Sequence, residues 1–147
     1  MSNGSKVMRQ LQIIVGVLAM AAGSAAMAVD VSSAWVRATP PGSSVSAGFL
    51  TISADPEQPD RLLGAKTVVA SVTEIHESRM DGEMMRMRRL ADGVAVAAGE
   101  TVILKPGGIH LMLLQLQQPL VAGEGIELEL QFERAGTVRV EAEVRAP

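Results

Sequence analysis

The sequence predicts an all-β domain, either a sandwich or a barrel, with seven or eight short strands. Two observations predict it: apolar and polar residues alternate in most segments, and turn-forming Gly, Pro and Asp residues separate those segments. With 147 residues the chain can form one domain with a substantial core. The expected strands are residues 34–38, 46–52, 67–75, 94–96, 101–104, 109–116, 126–132 and 137–144.

The amino-terminal segment has the pattern of a secretory signal. A positively charged start precedes an apolar run over residues 11–22, and Ala26-Met27-Ala28 is a small-x-small cleavage site. The run is shorter than the roughly 20 apolar residues that a membrane-spanning helix needs. We therefore expect a signal peptide over residues 1–28, a mature domain over residues 29–147, a periplasmic location and no permanent membrane anchor.

Charge and cysteine content narrow the possible functions. The chain has a formal charge of -3, and removal of Lys6 and Arg9 with the signal leaves -5. An acidic domain without a basic stretch argues against nucleic-acid binding. The chain contains no cysteine. Thiol catalysis, thiolate zinc sites, iron-sulfur clusters and cysteine-ligated blue copper are therefore excluded, and any soft metal ligand must be methionine.

All potential soft or imidazole ligands of the mature chain lie between positions 76 and 112. They are His76, Met80, Met84, Met85, Met87, His110 and Met112. The other strands are filled with Leu, Val, Ile and Ala instead. This concentration indicates a binding site rather than methionine used only for packing.

The first part of this cluster reads as a β-hairpin with an Asp81-Gly82 turn. A two-residue loop at that point pairs His76 with Met87, and also pairs Ser78 with Met85 and Met80 with Glu83. Directly opposed side chains of an antiparallel pair share one face and are close enough to bind one metal. Met84 is expected on the other face, as a surface residue.

The second part of the cluster, His110-Leu111-Met112, opens a strand after a glycine turn. Its His-x-Met spacing places both side chains on one face. Each segment thus offers one imidazole and one thioether. Thioethers favour Cu(I) over Zn(II), Ca(II) or Mg(II). We predict that His76, Met87, His110 and Met112 bind one Cu(I), with Met80 or Met85 as a further candidate sulfur.

These two segments resemble the periplasmic copper chaperones called PCu(A)C, also known as DUF461. In this chain ten residues separate His76 from Met87, and a His-x-Met follows at His110 and Met112. The opening residues 34–42, and the Gly-rich turns at residues 99–101 and 105–108, are also similar to that family. The resemblance covers essentially the whole mature chain.

The resemblance implies a cupredoxin-like Greek-key β-sandwich that binds Cu(I) near its surface. It also implies delivery of copper toward the Cu(A) centre of cytochrome c oxidase, directly or through another chaperone. Some members have Met directly after the first His, where this chain has Glu77, and some carry a His- and Met-rich tail that this chain lacks. We expect one copper per monomer and no enzymatic activity.

Other classes of function are compatible with parts of the sequence. A general periplasmic copper-homeostasis protein needs the same ligands. A copper enzyme or electron carrier is disfavoured because the chain has no Cys, no Tyr and only two histidines. A non-metal interaction module would use the Met-rich hairpin as an apolar patch. Trp35 is expected in the core, and Glu77 on the face opposite His76.

Overall fold

A computed structural model describes residues 29–147, and every regular element in that range is a β-strand. The expected signal peptide, residues 1–28, lies outside the described residues. The strands are β1 Val29–Arg37, β2 Val45–Ala54, β3 Asp60–Lys66, β4 Ala70–Asp81, β5 Met84–Arg89, β6 Val94–Val96, β7 Thr101–Leu104, β8 Ile109–Leu116, β9 Gly125–Phe132 and β10 Gly136–Arg145.

The strands form one hydrogen-bonded sheet in the order β5-β4-β8-β2-β1-β10-β9-β3-β6. β7 pairs with residues 50–53 of β2, beyond the part of β2 that pairs with β8. All pairings are antiparallel except that of β1 with β10. The pairing order brings β4, β5 and β8 together at one end of the sheet.

One apolar core contains residues from strands at both ends of this order. Ile75 of β4, Leu62 of β3 and Val96 of β6 belong to the same buried cluster. The sheet must therefore curl so that its two halves face each other across the core. The expected all-β sandwich is confirmed.

The alternation in sequence explains how each strand contributes to this core. In β9 every second residue from Ile126 to Phe132 is buried, and the residues between them are exposed or half-buried. In β8 the core-facing residues are Leu111 and Leu113, both with no exposed surface. This leaves His110 and Met112 on the outer face of the same strand.

The ten strands exceed the seven or eight that were expected. Of the strands outside that count, β5 is the second arm of the predicted Met-rich hairpin, whereas β3 was not predicted, because the alternation does not reveal it. β3 begins at Asp60, whose buried carboxylate accepts hydrogen bonds from the backbone N–H groups of Arg61, Arg134 and Ala135. These bonds connect the start of β3 to the turn between β9 and β10.

No helix in residues 29–147 is long and apolar enough to cross a bilayer.

Candidate metal site

The two histidines lie directly opposite each other on neighbouring strands. His76 of β4 pairs with His110 of β8. Their ring centroids are 6.1 Å apart, with the ring planes at 50°. Two segments separated by more than thirty residues thus place their imidazoles side by side on the outer face of the sheet.

The two methionines predicted as ligands lie on the same face. Met112 is opposite Glu74, the residue two positions before His76. Met87 is opposite Ser78, two positions after His76. Met87 is therefore a diagonal neighbour of His76, at a separation of about 7–8 Å that long side chains can bridge. All four predicted residues are brought to one face of three adjacent strands.

The predicted register of the hairpin is wrong by two residues. The loop is Gly82-Glu83, with Asp81 paired to Met84, so that Met80 faces Met85 and Met87 faces Ser78. Gly82 has a φ of 63°, which suits the first central position of a type II′ turn, whereas an Asp-Gly loop would require a positive φ at Asp81. A shift of two residues keeps each side chain on its predicted face.

His110 is held by a backbone contact and is almost fully covered. Its Nδ1–H donates to the carbonyl oxygen of Gly108 at 2.9 Å, and only 4% of the residue is exposed. Because a carbonyl can only accept, the proton is on Nδ1 and the lone pair is on Nε2. The glycine turn before β8 thereby fixes the nitrogen that is available to a metal.

His76 has the opposite arrangement of its ring nitrogens. Its Nε2–H donates to Oε2 of Glu74 at 2.7 Å, and its Nδ1 is buried without a hydrogen-bond partner. A buried acceptor without a partner costs about 1–3 kcal/mol. A metal bound at Nδ1 would remove that cost. The donor set therefore fits a soft ion held by Nδ1 of His76 and Nε2 of His110.

Glu74 is a site residue that the sequence analysis did not identify. The hydrogen bond from His76 holds the pKa of its carboxyl below the ordinary value; partial desolvation opposes this shift, and Arg89 at 3.8 Å adds to it. A carboxylate on the second nitrogen of a metal-binding imidazole fixes the tautomer and increases basicity. Strand alternation was the sequence signal that could have identified Glu74, because residues 74 and 76 lie on the same face of a strand.

Glu77, as expected, lies on the opposite face of β4. It pairs with Arg88 at 2.9 Å and with Arg79 at 3.3 Å. The hydrogen bond from Arg88 is the main reason that the pKa of the Glu77 carboxyl is below its ordinary value. Glu77 therefore belongs to a charged surface and makes no contact with the imidazoles.

A cleft of about 420 Å³ opens beside the histidine pair. Met87, His110 and Met112 line it together with Ser78 and Phe49. Further lining comes from the chain around Thr39 to Val45 and from Pro147. His76 adjoins the cleft through His110 and does not line it. The cleft provides solvent access to both thioethers and to one imidazole.

An aromatic row extends from the histidines across the sheet. The centroid distances are 4.5 Å from Trp35 to Phe49 and 6.4 Å from Phe49 to His110. The expectation that Trp35 packs in the core is wrong, because its neighbour Val36 takes the core position and alternation turns the indole outward. Trp35 instead covers Phe49, and Arg145 lies over its ring.

Three further methionines lie on the hairpin. Met80 and Met85 are directly opposed on the face of the histidines, and Met84 is on the other face, as expected. Their exposed fractions are 62%, 58% and 63%. No group of three or more His, Asp or Glu side chains within residues 29–147 is arranged to hold a metal. A metal held at this face would need thioether donors beside the two imidazoles.

Residues 29–144 match the family described as "Putative lipoprotein LpqE-like". A protein of Leifsonia xyli subsp. xyli, described as a "putative lipoprotein", is 34% identical over 123 residues, which are 84% of this chain and 73% of that protein.

Solved structures with the same fold include copper-bound proteins. The copper-bound PCuAC domain from PmoF2 is 25% identical with a TM-score of 0.68, covering 82% of this chain and 94% of that one. The Cu(I) form of DR1885 from Deinococcus radiodurans is 31% identical with a TM-score of 0.62, covering 86% and 85%. The family match extends over nearly all of the described residues, and the chain belongs to the LpqE-like family, with a domain similar in structure to PCuAC domains.

Proposed function

We propose that this protein is an exported copper chaperone that binds one Cu(I) through His76, Met87, His110 and Met112. The observation that carries the proposal is the direct pairing of His76 with His110, with a thioether on each side of the pair on the same face. A similar PCuAC domain has been solved with copper bound, and the similar protein DR1885 has been solved with Cu(I) bound. Soft thioether donors favour the monovalent ion.

The role is binding and transfer rather than catalysis. Copper is the cargo, and it passes to an acceptor when ligands of the acceptor replace those of the chaperone one at a time. The thioethers bind without losing a proton, so the histidines alone make binding depend on pH. Acidification weakens binding because a protonated imidazole has no lone pair to offer at the metal-binding nitrogen.

The recipient is proposed from the family resemblance. We propose that the monomer acts in the periplasm and delivers copper toward the Cu(A) site of cytochrome c oxidase, directly or through a second chaperone. A homeostasis protein would use the same site but would not accelerate metallation of the oxidase subunit. Transfer from the Cu(I)-loaded protein to that subunit, measured against free Cu(I) buffered at the same activity, separates the two roles.

The ligand set is tested by Cu(I) titration against a Cu(I)-specific competitor. Met87→Ile, Met112→Ile and His110→Ala should each weaken binding, while Met84→Ile on the opposite face should leave it unchanged. X-ray absorption of the loaded protein should count two sulfur and two nitrogen donors. Unchanged affinity in the three site variants would refute the assignment.

One observation favours a second candidate function. More than half of the surface of each hairpin methionine from Met80 to Met87 is exposed, as in an apolar patch that binds a protein. Partner binding that persists under rigorous copper chelation and is lost in hairpin variants would favour this interaction module. Partner binding that requires copper would favour the chaperone.

A further inference from the structure

The exposure of the hairpin methionines is not explained by packing. Met80 is 62% exposed, Met85 58% and Met87 53%. Methionine is useful in a core because its flexible chain fills irregular gaps, which requires burial. Side chains that remain mostly in solvent fill no gap. Their sulfur atoms are available to a ligand.

The register groups three of these sulfurs on the face of the histidines. Met80 and Met85 are directly opposite each other, and Met87 follows Met85 by two positions. Directly opposed Cβ atoms are about 4.5–5.5 Å apart and diagonal neighbours about 7–8 Å, so flexible thioethers at these positions can reach one ion. The three extend from the hairpin turn toward His76.

The surroundings of this group suit a soft ion. The charged side chains of the hairpin arms near the turn lie on the other face: Asp81 pairs there with Arg86 at 2.8 Å, and Glu77 pairs with Arg79 and Arg88. Between the turn and the histidines, the near face carries the thioethers and Ser78. Thioethers without nearby carboxylates favour Cu(I) over Ca(II), Mg(II) or Zn(II).

We propose that Met80 and Met85 form an outer Cu(I) site that uses the sulfur of Met87 as its third donor. The inference rests on the proposed function for the identity of the cargo. The inner site is the proposed set of His76, Met87, His110 and Met112. The outer site is weaker than the inner site because it has no imidazole and is open to solvent. Copper binds first at the outer site and then moves to the inner site.

In the inward step the bonds from copper to the sulfurs of Met80 and Met85 break, while bonds form to one nitrogen each of His76 and His110 and to the sulfur of Met112. Met87 remains bound and links the two positions. Copper stays monovalent, and no electron is transferred. Both imidazoles enter as neutral donors, so no proton is released.

The experiment is a titration of the protein, labelled with ¹³C at the methionine methyl groups, with Ag(I) as a redox-inert soft ion. The first equivalent should shift Met87 and Met112, and excess Ag(I) should then shift Met80 and Met85. Met84 is the matched control, since it is equally exposed, at 63%, but lies on the other face. Its resonance should not move.

Variants test the role of the outer site. In Met80→Leu/Met85→Leu the second shift should be lost and loading of the inner site with Cu(I) should slow, while inner-site affinity changes less than about twofold because the sites use different residues apart from Met87. Met84→Leu should load at the wild-type rate.

Two outcomes would overturn the inference: resonances of Met80 and Met85 that stay fixed in excess Ag(I), or an equal shift of Met84. If the inner residues bind and the outer ones do not, this inference fails alone. If Met80 and Met85 respond while Met112 does not, the proposed inner site fails and the outer site stands.

Discussion

Removal of the Glu74 carboxylate should weaken Cu(I) binding although Glu74 is not itself a ligand. Its Oε2 accepts the Nε2–H of His76 at 2.7 Å, and only 17% of the His76 side chain and 21% of the Glu74 side chain is exposed. In Glu74→Ala the imidazole can rotate and exchange tautomers. Loss of a hydrogen-bond partner of a metal-binding imidazole typically lowers metal affinity about 10–100-fold, and we expect the Cu(I) affinity to decrease in that range.

The conservative variant should rescue part of this loss. In Glu74→Gln the amide oxygen can still accept the hydrogen bond from His76 but has no charge. The Cu(I) affinity of this variant should therefore lie between those of the wild type and Glu74→Ala. Glu77→Ala is the control, because Glu77 is on the same strand and equally ion-paired but faces away. The assay is competition for Cu(I), with ¹⁵N NMR of the His76 ring as an independent measure of its tautomer.

Two results would refute this reasoning. The first is a copper-free protein in which the proton of His76 is on Nδ1, because the geometry requires it on Nε2. The second is tighter Cu(I) binding in Glu74→Ala, which would mean that the carboxylate competes with copper for the imidazole. The stoichiometry of tight binding should remain one copper in every variant, which separates a change in affinity from loss of the site.

Three further predictions concern the scaffold. Asp60→Ala leaves three backbone N–H groups near a buried position without their acceptor and should lower the free energy of unfolding by ~3 kcal/mol in urea denaturation. Gly93→Ala should lower the free energy of unfolding by at least about 2 kcal/mol, because the φ of Gly93 is 75° and an added Cβ would overlap a carbonyl oxygen of β3. Gly136→Ala should lower it by less, because Gly136 has a similar φ of 72° but open space around it. Arg88→Gln should raise the pKa of Glu77 toward its ordinary value in a ¹³C NMR titration. Since the folded pKa of Glu77 is lowered, its contribution to stability is present above the unfolded pKa and is lost as the pH falls through the folded pKa.

The sequence predicted which face each hairpin residue occupies better than it predicted the pairing. Alternation placed His76 and Met87 on one face, and this holds although the turn is Gly82-Glu83 instead of Asp81-Gly82. Loops that differ by one position change cross-strand partners by two residues and preserve the face. The choice between the loops depends on the φ of Asp81, which is not positive, because Gly82 has a positive φ in either loop; Asp-Gly and Gly-Glu are both acceptable turn sequences.

Other features required tertiary information. β3 was missed because it begins with Asp60, a turn-forming residue, has two consecutive leucines and has an irregular register near Gly64. Trp35 was assigned to the core because it is large and aromatic, yet Val36 occupies the core position beside it. The contact between Glu74 and His76 depends on ring orientation, which residue spacing does not determine.

The difference in burial within the proposed ligand set provides an order for copper release. His110 is 4% exposed and fixed by a backbone carbonyl, whereas Met87 is 53% exposed on β5, the edge strand of the sheet. Met87 has the most exposed side chain of the four proposed ligands, so an incoming donor reaches its thioether most easily. Met87 should therefore be replaced first and His110 last. A chaperone must hold copper against loss and still release it to a partner. The buried imidazole of His110 and the partly covered imidazole of His76, with an exposed thioether at the edge, meet both requirements, because the imidazoles are less open to solvent than the exchangeable thioether.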